Sequence, residues 1–133
     1  MLAVDTNVLV RYLTGDHPEQ SAKAHQLLAN NDIFISTTVL LECEWVLRRV
    51  YDFPNADTIA ALRDLAGLPN ISVENPSLLA EALDHAEKGM DFADAVHLGA
   101  ATRCESLFTF DRNFVKAAAG LNPEVKDAEK CSI

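Results

Sequence analysis

Short runs of strand type alternate along this chain with one or two helical stretches, and that alternation limits the possible folds more than any other feature. Residues 1–4, 33–35, 71–73 and 106–110 are brief apolar runs, and a last strand is expected near Val125. Strands separated by helices cannot form hairpins, so they pair in parallel with helices covering the faces. The expectation is a three-layer α/β/α architecture with a short, mostly parallel sheet of four or five strands. Right-handed crossovers put the C-terminal end of every strand on one edge, where open α/β sheets bind ligands.

The helices carry their own punctuation. Val8, Leu9, Tyr12 and Leu13 recur at helical spacing as far as Gly15, a natural left-handed stop. Asp16 reads as the N-cap of the next helix, with Glu19 three residues on and an end near Ala29. Ser36 or Thr37 caps a helix to about Tyr51, on which Val39, Leu40, Cys43, Val46, Leu47 and Val50 follow the 3.6 period. Residues 56–67 form another helix. Asn75, followed by Pro76, opens one that stops at Gly89. Asp91 starts an Ala-rich helix to about Cys104, and 113–119 form a short last one.

A chain of 133 residues, 49% apolar and 23% charged, is expected to make one domain over residues 1–133 with a core that needs neither disulfide nor structural metal. No apolar run approaches the roughly 18 residues of a membrane span. Cys43, Cys104 and Cys131 form no CxxC pair, which fits a reducing cytosol, so a soluble cytoplasmic protein is expected. The net charge of −9 is opposite to the basic footprint of a simple nucleic-acid binder. Either the acids are a solvated surface, or some are gathered where cations are needed.

Position along the chain bears on that choice. Asp5 directly follows the first strand and Asp111 the fourth, while Glu42 and Asp94 lie early in helices. Two carboxylates about 4 Å apart repel by roughly 4 kcal/mol at an effective dielectric near 20. A shared site for four acids therefore needs compensating cations, and hard divalent ions such as Mg²⁺ or Mn²⁺ suit oxygen ligands. The histidines and cysteines show no zinc-ligand spacing. Each acid also has a plainer role: Asp5 as a helix cap, Glu42 as a solvated helix acid, Asp94 in a capping box with Asp91, Asp111 in an Asx turn. Glu44 is read as solvated.

Four segments carry a resemblance: L-A-V-D-T-N-V-L-V, T-T-V-L-L-E-C with Glu42, D-F-A-D-A-V-H-L-G-A-A, and T-F-D-R-N-F. In this order and spacing, from residue 1 to about 125, the chain resembles PIN-domain nucleases, above all the VapC-type ribonuclease toxins of toxin–antitoxin pairs. The resemblance implies that Asp5, Glu42 and Asp94 are the acid triad and Asp111 the fourth acid, holding Mg²⁺ or Mn²⁺ for hydrolysis of RNA by metal-activated water. Thr6 and Asn7 would orient Asp5 or a water, or simply cap the helix. Asp91 and Thr109 would stand behind the ligands, although Asp91 is also a natural cap. His97 reads as a core or supporting residue. Arg11, Arg48, Arg49, Arg112 and Lys116 are candidate RNA contacts, with solvated charge as the alternative. The resemblance further implies a cognate antitoxin and a homodimer; Trp45 fits either the dimer face or the core, with the core preferred.

Other classes fit less well. A haloacid-dehalogenase-type phosphatase needs a second acid where Asn7 stands, and a receiver domain needs paired acids near its start and a late Lys. A catalytically idle PIN binding module would be expected to have lost acids. A housekeeping PIN ribonuclease would share every site residue with a toxin.

Overall fold

The computed structural model describes residues 1–132. The backbone groups into two compact units, Met1–Pro76 and the stretch from Ser77 onward. The first contains β1 (Leu2–Ala3), α1 (Thr6–Thr14), α2 (Pro18–Asn30), β2 (Ile33–Ile35), α3 (Thr37–Arg49), α4 (Asn55–Ala66) and β3 (Ile71–Val73). Its sheet has the order β1-β2-β3 with parallel pairing, Leu2 opposite Ile33 and Phe34 opposite Ser72. β2 is the central strand, and its β-branched Ile33 and Ile35 are fully buried. Against them lies a core that includes Leu9, Leu28, Leu40, Leu47 and Leu62. α1 packs on α2 and α3, and α3 on α4.

Several helix boundaries follow the residue chemistry. Gly15 closes α1 at φ +66°, donating its N–H to the Arg11 carbonyl, a backbone conformation costly for any residue with a Cβ. Ser36 caps α3 through a bond from the Val39 N–H. The cap of α2 differs from expectation: His17, not Asp16, accepts the N–H of Gln20 through Nδ1. Asp16 is engaged elsewhere, bonded to Thr14, Arg11 and Tyr51, so its carboxylate is unavailable to the helix start.

Two residues of α3 reverse their expected environments. Glu44 is buried and paired with Arg48 one turn on, whereas Trp45 is 54% exposed. The buried positions Leu40, Cys43, Glu44 and Leu47 form the stripe, so a carboxylate enters it accompanied by its counter-ion. Val50, the C-cap of α3, still donates its N–H to the Val46 carbonyl but is exposed.

The second unit comprises α5 (Pro76–Glu87) from its second residue on, α6 (Phe92–Ala100), β4 (Ser106–Thr109), α7 (Arg112–Ala117), β5 (Glu124–Asp127) and a 3-10 turn at Ala128–Lys130. β4 and β5 pair in parallel across α7, Ser106 opposite Glu124 and Thr109 opposite Asp127. α6 is shorter than its Ala-rich composition predicts, since residues 101–104 form a turn closed by the Cys104 N–H on the Ala101 carbonyl. Gly99 lies against Leu78 of α5; a Cβ there would stand 3.3 Å from that side chain. Every strand pair is parallel and helices intervene throughout, so the chain is of the expected α/β class, its strands grouped as sheets of three and two. Among the described residues no helix is long and apolar enough to cross a membrane.

Candidate active site

Parallel pairing brings the ends of β1, β2 and β3 to one edge of the first sheet. Asp5 leaves β1 there and caps α1, its Oδ1 accepting the Val8 N–H at 3.4 Å. α3 starts at the same edge. Its first N–H, on Thr37, bonds Oε1 of Glu74 at 2.9 Å. Glu74 directly follows β3 and was not among the acids expected here, although the rule that singles out Asp5, an acid just beyond a strand, also applies to it.

Glu42 lies on α3 with an exposed side chain whose Oε1 accepts the hydroxyl of Thr6. Thr6 itself is buried. Its hydroxyl therefore holds Glu42, not Asp5, and links the first turn of α1 to the candidate ligand on α3. Asn7, next along α1, is exposed.

In the second unit, Asp91 caps α6 by accepting the Asp94 N–H at 3.3 Å. Asp94 is half-buried in the first turn of that helix. Burial first, and then the charges of Asp91 and Asp111, hold its carboxyl above the ordinary carboxylate value; His97 acts in the opposite sense. Asp111 caps α7, accepting the N–H groups of Asn113 and Phe114 on Oδ1 at 2.9 and 3.2 Å. Its own N–H bonds the Thr109 hydroxyl at 3.0 Å, so Thr109 shapes the turn that aims Asp111.

Asp5, Asp91 and Asp111 thus do serve as caps, the plainer role open to each. Capping occupies one side of a carboxylate, and Oδ2 of Asp5 and of Asp111 keeps its lone pairs for another ligand. Among the described residues no three His, Cys, Asp or Glu side chains already form a metal cage. The donor chemistry nonetheless suits a hard divalent ion: the candidates are oxygen donors, and Asp94 stands in a field of like charge that a cation relieves. Cys43 offers no competing thiolate, since burial and then the Glu44 charge push its thiol up to about 12.

The candidate RNA-contacting cations fall into two groups. Arg48 is committed to Glu44, and Arg11 bonds Asp16, Tyr51 and Gln20 through Nε and Nη1 only. Arg49, Arg112 and Lys116 are exposed, Arg112 with Glu129 at 3.8 Å.

A search of curated proteins finds no match. Among solved structures, the chain is similar to a toxin of Mycobacterium tuberculosis, VapC20, described as cleaving the sarcin–ricin loop. The identity is 22% and the TM-score 0.45, over 92% of this chain and 98% of that one. The family model of the PIN domain matches residues 2–120. That match runs through nearly the whole α/β framework and all four candidate acids, and by it this chain belongs to the PIN-domain family.

Proposed function

We propose that this PIN domain, acting as one nuclease domain over residues 1–133, is a Mg²⁺- or Mn²⁺-dependent ribonuclease and the toxin of a type II toxin–antitoxin pair. The observation that carries the reading is the PIN-domain match over residues 2–120, which takes in Asp5, Glu42, Asp94 and Asp111. The burial of Asp94 and the charges of Asp91 and Asp111 beside it make an arrangement that a cation relieves. Asp5, Glu42, Asp94 and Asp111 are the acids assigned to hold the ion. Once bound, a divalent ion lowers the pKa of water and offsets charge on the phosphoryl group.

The chain's own residues supply orientation. Thr6 fixes Glu42 through its hydroxyl, Asp91 fixes the start of the helix bearing Asp94, and Thr109 fixes the turn bearing Asp111. No Ser or Cys nucleophile is required, and the buried Cys43 is unsuited to act as one. Arg49, Arg112 and Lys116 are exposed cations available to RNA phosphates. RNA as substrate, a cognate antitoxin, a homodimer and a cytoplasmic location follow from the resemblance to VapC-type toxins. The exposed Trp45 on α3 is a surface suited to the dimer.

Inducing the chain in cells and sequencing RNA ends tests the reading, with Asp5→Ala as control. New RNA ends that vanish with Asp5→Ala support it. Unchanged ends, or ends that persist in the variant, overturn it. A small antitoxin reading frame beside the gene separates a toxin from a housekeeping ribonuclease.

A further inference from the structure

α1 and α2 enclose a groove of about 410 Å³ whose lining divides by chemistry. Val8, Ala24 and Leu27 are its apolar residues, Asn7 and Gln20 bring side-chain amides, and Arg11 and Lys23 are its charged members. Both charged side chains lining it are cations; Arg11 is paired with Asp16 at 3.1 Å, and Lys23 is the one that leaves the groove net positive, which favours an anion.

Arg11 is held in place there. Its Nε donates to Gln20 Oε1 at 2.8 Å, and Nη1 to Asp16 Oδ1 at 3.1 Å and to the Tyr51 hydroxyl oxygen at 3.2 Å. Tyr51 in turn donates to Asp16 Oδ2 at 2.6 Å, and Thr14 to Asp16 Oδ1 at 2.9 Å. Asp16 is correspondingly held below the usual carboxylate range, first by Tyr51 and then by Thr14. These bonds use Nε and Nη1, so the guanidinium keeps the two donors of Nη2. Lys23 is exposed and has no ion pair among the described residues.

We propose that this groove is a nucleotide subsite for the RNA strand flanking the cleaved bond. A base lies against Val8, Ala24 and Leu27, the amides of Asn7 and Gln20 hydrogen-bond its edge, and Arg11 and Lys23 take its phosphate. The inference rests on the ribonuclease reading and deepens it. Asn7 lies two residues beyond Asp5, on the same first turn of α1, so the groove begins beside a proposed metal ligand. Gln20 Oε1 is taken by Arg11, leaving its NH₂ to donate, while Asn7 can donate and accept; paired with an apolar floor, these groups match a heteroaromatic base better than an acidic peptide.

The test uses the full chain in chelator, where RNA stays intact, titrated with mixed-sequence hexaribonucleotides and followed by methyl NMR. Methyl shifts at Val8, Ala24 and Leu27 are expected. Lys23→Ala is expected to weaken binding about 5-fold and to flatten the slope of log K against log salt by about 0.7, the loss of one single-strand phosphate contact. Leu27→Trp, filling the groove, is expected to suppress the shifts and to alter cut-site preference when Mg²⁺ is supplied. RNA shifts confined to other residues, or unchanged affinity and salt slope in both variants, overturn the proposal. So does an acidic peptide that shifts these methyls while RNA does not. Cleavage with silent groove methyls defeats the subsite alone; groove shifts without cleavage in Mg²⁺ defeat the ribonuclease reading alone.

Discussion

Replacing Arg48 with methionine keeps most of the side-chain volume and removes the charge that faces Glu44. The two side chains are 22% and 5% exposed and lie one helical turn apart. On an open helix surface such a pair contributes about 0.3–0.5 kcal/mol. Here the carboxylate is buried, so removing its partner leaves an uncompensated charge, at a cost of about 3–5 kcal/mol. The partial exposure of Arg48 favours the lower end, about 3 kcal/mol. For a chain of this length that lowers Tm by roughly 10 °C. Urea and thermal unfolding of the single variants and of Glu44→Leu/Arg48→Met provide the assay. The double variant should recover most of the loss, because neither charge is then left buried. RNA affinity should keep its salt dependence in Arg48→Met, since this guanidinium is committed to Glu44. A single variant within about 0.5 kcal/mol of wild type would show the pair to be solvated and refute the argument.

Asp94→Asn should abolish RNA cleavage and stabilise the metal-free protein at neutral pH. The folded-state carboxyl lies above its unfolded value, so the folded protein binds the proton first. Metal-free wild type should therefore gain stability as pH falls through that raised value and lose it as pH rises, and Asn should remove this dependence. Thr6→Val should lower cleavage about 10- to 100-fold by releasing Glu42, with Thr6→Ser restoring it and circular dichroism unchanged. Chelation should stop cleavage and leave helical circular dichroism intact; loss of helix would show that the core depends on the ion. A thiol reagent at pH 8 should label exposed Cys104 within minutes and leave Cys43 unmodified until the protein unfolds.

Local chemistry explains which features were legible beforehand. The strand runs, Gly15, the Ser36 cap and the Asp91 cap depend on a few neighbouring residues, and each sits where its residue type predicts. The four candidate acids were legible because they fall at strand ends or early in helices, within segments that together resemble one family, although each alone has a plainer role, that of helix cap for Asp5 and Asp111. Glu74 meets the same criterion, but a lone acid after a three-residue strand carries no signal in the sequence; only the start of α3 beside it gives it a role.

Length, hydropathy rhythm and turn residues determined the elements and their order, which arise from interactions a few residues long. The helices between the strands made parallel pairing the expectation, although the paired residues themselves are remote in the chain, Leu2 with Ile33 and Ile33 with Ile71. Only the tertiary structure decided which polar groups meet: that Thr6 holds Glu42, that Glu44 is buried with Arg48, that Asp16 serves Arg11 and Tyr51 instead of capping α2, and that Trp45 faces outward. Thr6 and Glu42 lie 36 positions apart and Asp16 and Tyr51 35, while Glu44 and Arg48 are one turn apart and only their burial is a matter of tertiary packing. A charge's surroundings are set by which surfaces the packed helices bring together, and no local pattern of residues encodes that.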